Sequence, residues 1–225
     1  MDSGLFTLMF GAHAGKRDEA FLWKWQELLC DFVNTNRVKA TCVEVDCQKV
    51  LGVEQAWKFR QKLRDMLPNN RQINVFHIED GQKGLDRLIE FAEYIAISVP
   101  ELRIVRRKTY RDDVHRLACY IKNKKPEIDI HLLGCTENQM LKENNFCTSS
   151  DSTSWQSVNR FGKIEGYHVS RLSKELRDSF RKDAFDVLTY CGIEPKPNRI
   201  EYQANFIAAA YIKKMVYSKY AGNQD

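Results

Sequence analysis

The chain has 225 residues, 43% of them hydrophobic and 29% charged, with a formal charge of +5. That length can bury a full core, no apolar run reaches the roughly 18 residues that span a bilayer, and the opening MDSGLFTLMFGAHAG lacks the basic start of a signal peptide. No membrane span and no signal peptide are therefore expected, and a cytoplasmic protein is expected. Seven cysteines without paired spacing fit a reducing interior better than a disulfide framework. No CxxC occurs and the five histidines are scattered, so no metal site and no cofactor is expected. The positive charge permits an anionic partner without demanding one.

The first element expected is a helix over residues 18–33, where Phe21, Leu22, Trp25, Leu28, Leu29 and Phe32 recur at helical spacing. A strand follows in TCVEVDC (41–47). A second helix, VEQAWKFRQKLRDML (53–67), puts Ala56, Phe59, Leu63 and Met66 on one face and stops at Pro68-Asn69-Asn70. Next come a strand INVFHIED (73–80), a helix LDRLIEFAEY (85–94) and a strand YIAIS (94–98). The helix RDDVHRLACYIKN (111–123) and the strand IDIHLLG (128–134) repeat the unit, and FCTSS (146–150) is a weaker fifth strand. Residues 173–188 and 203–220 read as two further helices separated by the breaker GIEPKPN.

Strand and helix alternating at this spacing predict parallel βα units, wound with one hand into an open sheet or around a barrel. No G-x-G-x-x-G follows the first strand and no Walker loop occurs, which removes support from both common nucleotide-binding versions of the open sheet. In a βα barrel the chemistry sits at the C-terminal ends of the strands. Asp46, Glu79, Asp80, Ser98 and Asp151 end the strand runs, so one rim would collect four carboxylates. Turn residues and helix N-caps put Asp and Ser at strand ends too. Four carboxylates together would raise one another's pKa, and that crowding favours a functional rim.

Three segments carry a resemblance to the tRNA-guanine transglycosylase superfamily, closest to its phage and bacterial branch that inserts 7-deazaguanines into DNA. DSGLF (Asp2 to Phe6) is similar to the family's D-S-G-G-F. VEVDC resembles the strand that ends in a base-reading aspartate, here Asp46. DSTSWQSVNRFG (Asp151 to Gly162) matches the length of the nucleophile segment D-C-V-x-P-T-R-x-x-R-N-G, and HLLGC (131–135) looks like the L-M-G-V strand before it. The resemblance covers residues 2–162 in the family's order. It implies an incomplete (β/α)8 TIM-type barrel over residues 1–170, with a helical segment, 171–225, packed on it.

It also implies a reaction. Asp151 would attack the anomeric carbon and expel guanine, Asp2 would move the protons, and a 7-deazaguanine would then take the sugar. Ser3, Gly4, Asp46, Asp80, Gly81, Ser98 and Gly134 would line the base site. Arg160 and Trp155 would meet the nucleic acid, and Ser149, Ser150, Ser152, Thr153 and Ser154 would hold Asp151 ionised. The family's zinc module is missing, with Cys191 alone in its place, which favours DNA over tRNA. WQS stands for P-T-R, and Ser98 and Val99 stand for a glycine pair. D-S-G lies at residue 2, ahead of which the family has two βα units. A fragment, a split gene or an internal start codon would each account for that, and a homodimer or a partner chain could supply strands. A scaffold subunit without catalysis is the reading from another class. Basic runs at 103–111 and 122–125, and Arg171, Lys174, Arg177, Arg181 and Lys182, are either solvated faces or phosphate contacts.

Overall fold

A computed structural model describes residues 18–135, 137–152 and scattered residues between 163 and 194. The chain divides into two compact units, residues 1–151 and 152–225. In the first unit the order is α1 (Glu19–Thr35), β1 (Cys42–Val43), α2 (Gln48–Leu51), α3 (Val53–Met66), β2 (Gln72–Phe76), a 3-10 turn (Ile78–Asp80), α4 (Gly81–Phe91) and β3 (Tyr94–Ser98). Then come α5 (Val99–Val105), α6 (Tyr110–Lys124), β4 (Asp129–Leu133), α7 (Asn138–Glu143) and β5 (Ser149–Ser150). In the second unit β6 (Lys163–Ile164) pairs antiparallel with β7 (Tyr167–His168). Lys174, Glu175, Asp178, Lys182, Phe185 and Asp186 are helical, within the first of the two expected tail helices, and so is Thr189, one residue past its expected end. The second, 203–220, lies outside the described residues.

All five expected strands form, and they pair in parallel in chain order, β1-β2-β3-β4-β5. Sequential order is the informative feature. Crossovers of constant hand between next-door strands place every connecting helix on one face, whereas a doubly wound sheet must reverse its order. The result is a curled half-barrel with helices. On the helix face Ile95, Ile97, Ile130 and Leu132 pack with Leu85, Leu88, Leu102 and Val114. On the opposite face Ile73, Val75, Tyr94 and Ala96 form a second cluster with Val43 and Leu133. Apolar residues at both parities are why these runs read as unbroken rather than alternating.

Two local expectations are corrected. The buried stripe of α1 is Leu22, Gln26, Cys30 and Val33, while Leu28 and Phe32 are 54% and 55% exposed. The helix is rotated from its most apolar face because Gln26 Nε2 donates to the carbonyl of Phe59 inside the fold. The second strand stops at Phe76, and Ile78–Asp80 turns away. No helix among the described residues is long and apolar enough to cross a membrane.

One buried ion pair ties the early elements together. Arg60 on α3 is 2% exposed and donates to Glu44 at 2.9 Å and to the carbonyl of Val75 at 2.9 Å. Glu44 in turn accepts from the amide of Val75 at 3.0 Å and from Asn74 at 2.6 Å. Its carboxylate therefore continues the β1–β2 ladder where the backbone of β1 has ended.

Candidate functional site

The register sets two of the expected rim residues, Ser98 and Asp151, at one level, while Glu79 and Asp80 lie in the 3-10 turn beyond β2. Phe76 pairs with Ile97, Ser98 with Leu133, and Leu132 with Ser150. One residue further along each strand, His77, Ser98, Leu133 and Asp151 stand side by side. Neighbouring strands lie about 4.8 Å apart, so three steps span about 14 Å along the sheet, and the curl shortens the chord. Two polar groups occupy the ends of this arc.

The first is an ion network after β1 and β2. His77 is nearly buried and donates from both ring nitrogens, Nε2 to Asp46 at 2.8 Å and Nδ1 to Glu101 at 3.0 Å. Carboxylates only accept, so both nitrogens carry hydrogen and the ring is an imidazolium. Burial opposes that charge, but the bonds from Asp46 and Glu101 outweigh it and raise the pKa to about 10. Lys49 joins Glu101 at 2.9 Å to Glu79 at 2.5 Å. Gln48 donates to Asp80 at 2.7 Å. Asp46, expected to read a base, thus faces His77 with its side chain 28% exposed.

The second group is Asp151, just past β5. Its Oδ1 accepts from His131 Nε2 at 3.1 Å and from the Gly134 amide at 2.9 Å. The side chain is 57% exposed. The His131 bond, with the Gly134 amide behind it, holds the carboxyl below its usual range against the effect of partial burial. Behind His131 the bonding continues: Nδ1 meets Ser149 Oγ at 2.6 Å, and Ser149 Oγ meets Tyr94 OH at 2.5 Å. Residues two apart on a strand share a face, and Tyr94, His131, Ser149 and Asp151 all lie on the face away from the helices.

Gly134 is shaped for this role. Its φ is +69°, and a Cβ there would sit 2.6 Å from Pro100 Cγ. Ser98 ends β3 and N-caps α5 without a side-chain capping bond. Gly81, at φ +60°, opens α4 and borders a cavity of about 370 Å³ on the helix side, beside Phe76, Leu102, Arg106 and Arg116. Asp2, Ser3, Gly4, Trp155 and Arg160 lie outside the described residues, so the expected meeting of Asp2 with Asp151 does too.

The crowding argument from sequence is corrected. The carboxyls of Glu79 and Asp151 are lowered rather than raised, first through Lys49 and His131 respectively. The donors expected around Asp151 were neighbouring hydroxyls. Of these, Thr153 and Ser154 lie outside the described residues; Oδ1 accepts from a histidine twenty residues earlier and from a glycine amide, and Ser149 bonds to that histidine. One signal pointed there: His77 and His131 interrupt the mainly apolar runs INVFHI and IDIHLL, as Asn74 and Asp129 also do. Among the described residues no group of His, Cys, Asp and Glu could hold a metal ion. None of the family models, curated proteins or solved structures compared with this chain matches it.

Proposed function

We propose that the chain is a base-exchanging transglycosylase, with Asp151 as nucleophile, a nucleic acid (DNA before tRNA) as glycosyl donor and a 7-deazaguanine as the incoming base. The observation that carries this reading is the state of Asp151. It is an ionised carboxylate on the C-terminal rim of a parallel sheet, with Oδ1 tethered by His131 and Gly134 and the side chain 57% exposed. A nucleophile of this kind needs an available lone pair and a fixed direction of approach, and the site supplies both. The half-barrel is read as part of a (β/α)8 barrel, whose rim is where such chemistry collects.

In the first half-reaction Asp151 Oδ2 bonds to C1′ of the nucleotide, and the C1′–N9 pair departs with guanine. In the second, the ring nitrogen of the deazaguanine attacks C1′ and the carboxylate leaves. Two inversions retain the configuration. Asp2, by the resemblance, moves the protons. The connection from β3 to α6 offers a surface for the polynucleotide. Arg111 and Arg116 are paired with Glu137 and Asp113, whereas Arg103, Arg106, Arg107 and Lys108 form no salt bridge with a described residue. Free cations next to a rim suit a phosphate backbone.

Incubating the protein with labelled guanine and either DNA or tRNA tests the reading. Label should enter DNA, and Asp151→Asn should abolish entry. Label in tRNA alone would replace the substrate, and label in neither would favour the scaffold reading. Full activity in Asp151→Asn would remove the nucleophile.

A further inference from the structure

Resting on the transglycosylase reading, we propose that His131 is a positioning residue of the transfer. Held by Ser149 and Tyr94 with its Nε2–H turned to Asp151, it keeps Oδ1 of Asp151 out of the attack and stabilises the carboxylate as it leaves the sugar in the second half-reaction.

The hydrogen on Nε2 follows from counting donors. Asp151 is ionised and can only accept, so the hydrogen in the 3.1 Å contact belongs to His131 Nε2. With the ring neutral, Nδ1 is an acceptor, and the hydroxyl of Ser149 donates to it across 2.6 Å. Ser149 Oγ then has a lone pair for Tyr94 OH at 2.5 Å. With the ring neutral, the donors run in one direction, Tyr94 to Ser149 to His131 to Asp151. A doubly protonated ring would reverse the far part of the line, Nδ1 donating to Ser149 and Ser149 to Tyr94, and Nε2 would still donate to Asp151. In either state the bonds to Ser149 and Asp151 fix the plane of the ring, which is what orienting a carboxylate requires.

Ser149, His131 and Asp151 also compose a serine–histidine–aspartate set, and the geometry decides which end reacts. Ser149 Oγ is engaged on both sides, by His131 Nδ1 and by Tyr94 OH. The aspartate of a serine triad is buried behind its histidine; Asp151 is the exposed end. Nor does the line deliver a proton to Asp151, since a phenol is a weaker acid than a carboxylic acid by about a factor of a million. His131 keeps its hydrogen throughout. In the first half-reaction Oδ2 gains the bond to C1′, the carboxylate charge is lost, and Oδ1 becomes an ester carbonyl, a weaker acceptor. In the second, the C1′–Oδ2 pair returns to Asp151, and the Nε2–H bond tightens as the charge reappears. A bond that strengthens on the way to the transition state speeds that step.

The test uses the full chain with DNA and labelled guanine, quenched in acid so that covalent glycosyl-enzyme is counted and its site mapped. In His131→Phe, a ring without the donor, the covalent fraction should rise and its breakdown slow about ten- to a hundredfold, the range for a hydrogen bond to a charged group. The acid limb of the pH profile should move upward. His131→Gln, which restores an N–H, should recover part of the loss. Ser149→Ala, which leaves the rim intact, should shift the partition in the same direction by less. A wild-type adduct on Asp151 with the partition and pH limb unmoved in both His131→Phe and Ser149→Ala would overturn this inference and leave the transglycosylase reading standing. No wild-type adduct on either nucleic acid would overturn that reading first and this one with it. An adduct on Ser149 would overturn both in favour of the serine set.

Discussion

Gly134→Ala probes the fold and the site at once. Gly134 leaves β4 at φ +69°, where an L side chain costs about 1–2 kcal/mol. The new methyl would also lie 2.6 Å from Cγ and 2.9 Å from Cδ of Pro100 in the first turn of α5. A proline ring is closed onto its own backbone and cannot rotate aside, so α5 or the β4 exit must move, at about 1–3 kcal/mol for overpacking. The total is about 2–5 kcal/mol. Pro100→Ala removes both clashing carbons, so a double-mutant cycle by urea denaturation separates the two costs. Gly134→Ala should cost about 1–3 kcal/mol less in the Pro100→Ala background than in the wild type. The amide that holds Asp151 Oδ1 moves with the clash, so the Asp151 carboxyl, followed by ¹³C NMR, should titrate higher in the single variant than in the wild type. A coupling below about 0.5 kcal/mol, inside the range of independent sites, would refute the close packing of β4 exit on α5.

Arg60→Met should lower stability by about 3–5 kcal/mol, because Glu44 is left charged and buried; a loss under about 1 kcal/mol in urea melts would contradict that. His77 gives a pH signature. Its folded pKa, about 10, lies above the ordinary 6.5, so its contribution is whole below about pH 6.5 and is lost as the pH rises towards 10. The thiols of Cys30, Cys47 and Cys147, pushed up by burial to about 11, 12 and 12, titrate above most of that window. Melting temperatures from pH 6 to 10 should fall more steeply in the wild type than in His77→Gln, and parallel curves would show that the ring is not charged.

The strands were legible because parallel sheets bury both faces, and runs such as YIAIS and IDIHLL record that directly in Ile, Leu and Ala. Asp151 was legible as a carboxylate closing the fifth run. The stripe of α1 was not, because a buried glutamine that answers a carbonyl on α3 looks polar in sequence. Nor was Arg60, which reads as one charge among many on a surface-like helix until its ladder partners appear.

Local composition, then, set which runs became strands and which segments became the long helices, while β2 stopped short at Phe76 and α2, α5 and α7 left no mark in it. Partnership came from the packed sheet alone. His131 reaches Asp151 across 20 positions, Tyr94 reaches Ser149 across 55, and His77 joins Asp46 to Glu101. Hydrogen bonds act over about 3 Å of space, and only strand order and register bring residues so distant along the chain to that separation.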